Sequence, residues 1–144
     1  MMSACFLDTN ILLYAAFDKN LEPKKNEIAS EILKRPGHAI STQVLLEFHN
    51  NLVNPRKSNL SEATIDQWLN FAAEYEVITM TPDLVFAAIE ITRRYKIHTF
   101  DSALLAAAHK AEATIMYSED LNHGQIYGTV RVCNPFKEDF LAFQ

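Results

Sequence analysis

Cys5-Phe6-Leu7-Asp8-Thr9-Asn10 is the stretch on which the reading of this chain turns. Three apolar residues run directly into an acid, a hydroxyl and an amide, and a second apolar run, Ile11-Leu12-Leu13-Tyr14-Ala15-Ala16, follows at once. A short apolar run closed by polar residues reads as a buried strand. Asp8, Thr9 and Asn10 are all good helix N-cap types, so the second run reads as a helix that begins there. Asp8 thereby falls at the carboxyl end of a central strand, the edge at which open α/β sheets bind ligands. Capping alone explains an acid at that junction unless other acids return to the same edge.

Working outward, strands and helices alternate. Residues 22–35 carry Ile28, Ile32 and Leu33 at helical spacing and are stopped by Pro36-Gly37. His38-Ala39-Ile40-Ser41 reads as a short strand, and Thr42 as the cap of a helix over 43–52. After the polar loop 54–59 comes a helix over 61–74, then a strand at 76–80. Thr81 caps the next helix, 82–95, with Pro82 in its first turn. Residues 97–100 read as a loop, and 101–111 as a helix so rich in Ala and Leu that it must be buried on most sides. Thr114–Tyr117 and Val130–Cys133 read as strands, with Gly124 and Gly128 punctuating a loop between them. The alternation predicts a three-layer α/β/α sandwich around a mainly parallel sheet, in one domain spanning 1–144.

Apolar residues make up 49% of the 144 and charged residues 22%, the balance of an ordinary globular domain. No apolar run approaches the roughly 20 residues of a membrane span. The N-terminus lacks the basic region of a signal peptide, so a cytoplasmic location without membrane attachment is expected. Cys5 and Cys133 each lie in a strand-like run and read as small buried hydrophobes. A net charge of −5 argues against a protein that grips nucleic acid through a basic surface. It leaves room for an acidic site that binds a cation first.

Four acids stand at telling places. Asp8 ends the first strand, Asp101 heads the buried helix, and Asp120 follows the strand Thr114–Tyr117. Glu47 interrupts the apolar patch Val44-Leu45-Leu46-Glu47-Phe48. Singly, each has an ordinary explanation as a cap, a turn acid or a solvent-facing helix position. Together they fall at strand ends and helix starts, one edge of a parallel sheet. Carboxylates packed there repel unless protonated or bound to cations, and hard divalent ions, Mg²⁺ or Mn²⁺, are the expected partners. Such ions polarise phosphates and activate water. His38, His49, His98, His109 and His123 contain no pair with the spacing and helical setting of a zinc protease site.

These residues carry a resemblance. Phe6-Leu7-Asp8-Thr9-Asn10-Ile11-Leu12, Ser41–Phe48, Phe100–Ala108 and Ser118–Gly124, with the strand Val130–Phe136 after them, resemble in order and spacing the motifs of PIN-domain nucleases. Among these the chain is most similar to the toxins of VapBC-type toxin–antitoxin modules. The resemblance implies a metal-dependent endoribonuclease of one PIN-like domain, with RNA as substrate, a small antitoxin protein as partner, and a homodimer. It implies an acidic quartet of Asp8, Glu47, Asp101 and Asp120, with Asp8, Asp101 and Asp120 as metal ligands and Thr9, Asn10 and Ser118 as accessory polar positions toward substrate. Glu119 stands beside Asp120, and the hydroxyl–any–acid pattern Ser118-x-Asp120 selects the latter. Ser102 stands where alanine is common in the family.

Two other readings compete. A PIN-like domain can bind RNA or protein without turnover. A phospho-accepting receiver domain also gathers acids at strand ends, but it wants an acidic pair after the first strand and a Lys after the last. Here Thr9 follows Asp8, and Asn134-Pro135 ends the last strand. Arg56 and Lys57, an adjacent pair of cations in a loop, are candidates for phosphates flanking the cleaved one. The 22–35 and 61–74 helices carry more apolar surface than a thin sandwich layer needs, with Trp68, Leu69 and Phe71 close together in the second, and a groove beside the 43–52 helix is expected to accept an amphipathic helix from the antitoxin. The 82–95 helix is the expected dimer surface.

Overall fold

A computed structural model describes residues 5–137. The sheet grows outward from β1 (Cys5–Leu7), which pairs in parallel with β2 (His38–Ser41) on one side and β4 (Ile115–Tyr117) on the other. β3 (Glu76–Ile78) extends it beyond β2, and β6 (Val130–Cys133) beyond β4. The short β5 (Ile126–Tyr127) closes the edge antiparallel to β6, giving the order β3-β2-β1-β4-β6-β5. Strand order reverses between β1 and β4, and such switch points open a crevice at the carboxyl ends of the strands.

Helices α1 (Thr9–Ala16), α2 (Pro23–Lys34), α3 (Thr42–Leu52), α4 (Glu62–Ala72), α5 (Pro82–Tyr95) and α6 (Thr99–Lys110) make the crossovers. The buried core joins strand residues Phe6, Ile40 and Met116 to helix residues Ile11, Phe48 and Leu105. In α6, every residue from Ser102 to Ala108 is buried, as its composition requires. Ser102 accepts a hydrogen bond from the Thr92 hydroxyl of α5 at 2.8 Å. That cross-helix bond is a physical reason for a serine in an alanine-rich helix. Among the described residues no helix is long and apolar enough to cross a membrane.

The structure departs from the sequence reading in three of its elements. Residues 126–127 form a strand, not loop: Gly128, at φ +63°, opens a two-residue hairpin. A Cβ there would sit 2.8 Å from His109 Nε2, and β5 is too short to show an alternating pattern. Helix α6 begins at Thr99, capped by His98, whose Nδ1 accepts from the Phe100 N–H at 3.2 Å. Ser41, not Thr42, caps α3, because the Thr42 hydroxyl instead accepts from the Met80 N–H. Beside α3 a cleft of about 490 Å³ is lined by His49, Leu52, Val53 and Ile65, and a more apolar groove lies between α2 and α4. About 550 Å³ in volume, it is lined by Ala15, Ser30, Leu33, Lys34, Gln67, Trp68 and Phe71.

Candidate active site

Asp8 lies at the switch point. Its N–H donates to the Tyr117 carbonyl at 3.0 Å, carrying the β1–β4 ladder one residue beyond the strand. Its carboxylate then turns back to cap α1, accepting from the Thr9 N–H at 2.6 Å. The other oxygen accepts from the Ser118 hydroxyl at 2.7 Å. Ser118 follows β4 directly and is itself fixed by its N–H to the Cys133 carbonyl. Asp8 is only 3% exposed. Burial pushes its carboxyl up to about 7, the charges of Asp120 and Glu47 push the same way, and the bonds from Ser118 and Thr9 oppose them.

The other three acids face the same edge. Glu47, half-buried in α3, accepts from Gln43 Nε2 at 2.7 Å and from the Thr9 hydroxyl at 3.3 Å. Gln43 Nε2 also reaches the Phe100 carbonyl at 3.4 Å, so one amide ties α3 to the first turn of α6. Asp101, in that turn, is half-buried; burial raises its carboxyl, Asp120 and Glu47 raise it further, and His98 lowers it. Asp120 is exposed, its N–H held by the Ser118 hydroxyl at 3.1 Å. Asn10 bridges the gap: its Nδ2 donates to Asp120 at 3.2 Å and more weakly to Asp8 at 3.5 Å.

The acids are gathered but spread. Among the described residues no three His, Cys, Asp or Glu side chains converge closely enough to hold an ion where they stand. The donors nevertheless fit a hard divalent cation. They are carboxylate oxygens, and burial together with the charges of Asp120 and Glu47 raises the proton affinity of Asp8 and Asp101, an effect that a divalent charge would relieve. Asn10 Oδ1, buried with no hydrogen-bond partner, is a further oxygen at the same place.

The remaining candidates sort by contact. Thr9 and Ser118, read as substrate-binding positions, are buried, with hydroxyls committed to Glu47 and Asp8; they orient acids and do not reach into the open edge. Glu119 turns away from Asp120, accepting from Tyr14 and Lys25. Arg56 and Lys57 are exposed in the loop after α3, apart from the acids. They face Ala16, Phe17, Asp18 and Leu21 across a cleft of about 530 Å³, at the end of α1 opposite Asp8. Eight helical residues separate the two ends, roughly 12 Å. Gln43, Tyr14 and Lys25 join the site only in the structure. The four-residue spacing of Gln43 and Glu47 was the available signal for the first; the partners of the other two are remote in the chain.

Asp8 makes a pH-dependent prediction for stability without metal. Its folded value of about 7 lies above its ordinary 3.8, so its contribution is fully present below 3.8 and lost as pH rises through 7. Asp8→Asn keeps the shape without the charge. In EDTA its thermal stability should match the unaltered protein near pH ~4 and exceed it increasingly up to pH ~8, by no more than about 4 kcal/mol. A gap that does not change with pH would show that Asp8 ionises as it does in water.

The family model for the PIN domain matches residues 5–128. No curated protein sequence matches the chain. Among solved structures, a toxin–antitoxin complex from Klebsiella pneumoniae is similar at 20% identity and a TM-score of 0.67, covering 94% of this chain and 100% of that one. Mycobacterium tuberculosis VapC20, described as a sarcin-ricin loop cleaving toxin, is similar at 20% identity and a TM-score of 0.64, over 81% of this chain and 90% of that one. VapBC2 from Rickettsia felis, bound to a DNA fragment of its promoter, follows at 17% identity and 0.62, over 90% and 96%. The family match over most of the length, on the residues that build the acidic edge, shows that this chain belongs to the PIN domain family.

Proposed function

We propose that this protein is a divalent-metal-dependent endoribonuclease and the toxin of a toxin–antitoxin pair, acting in the cytoplasm as a single domain over 1–144. The observation that carries the reading is the buried Asp8, held by Ser118 within the field of Asp120 and Glu47 at the switch point of the sheet, with Asp101 in the field of the same two acids. Family membership and the toxins among the similar structures support it.

Asp8, Asp101 and Asp120 hold Mg²⁺ or Mn²⁺. When bound, the ion supplies a polarised phosphate and an activated water at neutral pH. The chain's own part is positioning. Ser118 and the Thr9 N–H fix Asp8, Gln43 and the Thr9 hydroxyl fix Glu47, and Asn10 spaces Asp8 from Asp120. The receiver-domain reading is disfavoured by the sheet order β3-β2-β1-β4-β6-β5, which is not the 2-1-3-4-5 order of that class. Binding without turnover is separated by experiment. A structured RNA should be cut by the purified protein with Mg²⁺ or Mn²⁺ and not with EDTA. Asp8→Asn should lower the rate at least about 100-fold, since losing a ligand costs no less than losing an outer partner. Cleavage by Asp8→Asn at the unaltered rate would exclude this site.

Arg56 and Lys57 hold RNA phosphates some distance from the cut, at the far end of α1. The Arg56→Ala, Lys57→Ala double variant should bind RNA more weakly and flatten the salt dependence of log affinity by up to about 1.4. Equal affinity and equal slope would remove them from the substrate path.

The α2–α4 groove receives the apolar face of an antitoxin helix, with Trp68 and Phe71 as the anchoring aromatics. Homodimerisation uses α5, where Val85 and Phe86 stand 47% and 66% exposed. Co-expression with the neighbouring reading frame and sedimentation of the products separates the surfaces. Trp68→Ala, Phe71→Ala should lose the antitoxin and keep the dimer, and Phe86→Glu should do the reverse. The opposite pattern would exchange the two assignments.

A further inference from the structure

Glu119 is the neighbour of Asp120, yet its carboxylate is held on the other side of the loop. Tyr14 donates its hydroxyl to Oε1 at 2.7 Å, and Lys25 Nζ reaches Oε2 at 3.1 Å. Lys25 also donates to the Tyr14 hydroxyl at 3.1 Å, so the three groups close a ring of hydrogen bonds. The ammonium lies 4.7 Å from the centre of the Tyr14 ring and 5.5 Å from that of Phe136, and the two rings meet edge to face at 5.0 Å. The scaffold behind it is tied as well: Asn26, next to Lys25 on α2, donates to the Tyr14 and Ala15 carbonyls of α1.

This arrangement differs in kind from the surface pairs. Lys24–Glu27, Lys34–Glu31 and Arg93–Glu90 join neighbours three apart on one helix, with at least 45% of each side chain exposed. Pairs of that sort contribute little. Lys25–Glu119 joins α2 to the loop after β4, with side chains 32% and 24% exposed. Ordering a half-buried lysine between a carboxylate, a phenol and two rings needs a compensating reason. The acidic edge provides one. A free Glu119 would bring another negative charge beside Asp8, Asp101, Asp120 and Glu47 and would compete with Asp120 for a cation.

We infer that Lys25 and Tyr14 are positioning residues for the metal site: they latch Glu119 away from the acidic edge and so fix the loop that presents Asp120. Ser118 secures that loop on one side, through its bonds to Asp8 and to the Asp120 N–H, and the latch secures it on the other. The inference rests on the proposed metal site at Asp8, Asp101 and Asp120.

The test is Mn²⁺ binding to the full-length protein by calorimetry, beside amide exchange at residues 119–121 in the metal-free state. Lys25→Met should weaken Mn²⁺ binding by about 10- to 100-fold, the usual effect of removing an outer-shell partner. It should also speed exchange of those amides. Lys25→Arg, which keeps the cation, should restore most of both. In RNA cleavage the Mn²⁺ concentration for half-maximal rate should rise by the same factor, with the rate at saturating Mn²⁺ within a few-fold of unaltered. Tyr14→Phe removes one oxygen and keeps the ring contacts; it should shift both readouts in the same direction and carries the test if Lys25→Met does not fold. Unaltered protein that binds Mn²⁺, with variants that bind it equally and exchange equally, overturns the latch alone. Unaltered protein that binds no Mn²⁺ overturns the metal site and the latch with it.

Discussion

Asp8 is an acid almost wholly removed from water, next to other acids, and the arrangement around it follows from keeping it there. A carboxylate in that setting tends to take up a proton. Three features work against this: the Ser118 hydroxyl, the Thr9 N–H, and the position at the start of α1, where the helix dipole favours negative charge. Two of them arrive with Asp8 in the chain. Ser118 is supplied from 110 residues away by the pairing of β1 with β4. The sheet order therefore sets the chemistry of the acid as well as its location.

The same crowding explains the polar groups around the edge. Gln43 and Thr9 give Glu47 two donors, and Asn10 places an amide between Asp8 and Asp120. Each of these neutral side chains screens or spaces carboxylates that would otherwise face one another directly. Glu119 is managed differently, with a full positive charge from Lys25. The metal-free state is thus held together by hydrogen bonds between neutral donors and acids. The raised proton affinity of Asp8 and Asp101 comes first from burial and then from the neighbouring carboxylates, and a bound divalent cation would offset both.

The folding elements were legible from local chemistry wherever an element was long or sharply capped. The α2 stop at Pro36-Gly37, the Thr81 cap with Pro82 behind it, and the burial of α6 are all local consequences of side-chain size, backbone restriction and periodicity. Short elements escaped this reading. β5 has two residues, and the first turn of α6 begins with Thr99 and Phe100, which carry no strong helix signal of their own. Thr42 resembled a cap as well as Ser41 did. The choice went to Ser41 because the Met80 N–H, brought in by β3, uses the Thr42 hydroxyl.

By itself the sequence determined the strand–helix alternation, the parallel sheet it requires, and the four acids at the edge where such a sheet binds ligands. Those properties are set by neighbours within a turn or a strand, and that is the range over which a chain can be read directly. Only the tertiary structure decided the rest. It buried Thr9 and Ser118 behind the acids, put Arg56 and Lys57 at the far end of α1, opened an apolar groove between α2 and α4, and turned Glu119 onto Tyr14 and Lys25. Each of these depends on which remote side chain occupies the adjoining space. Spacing along the chain carries no record of that until the sheet order brings the partners together.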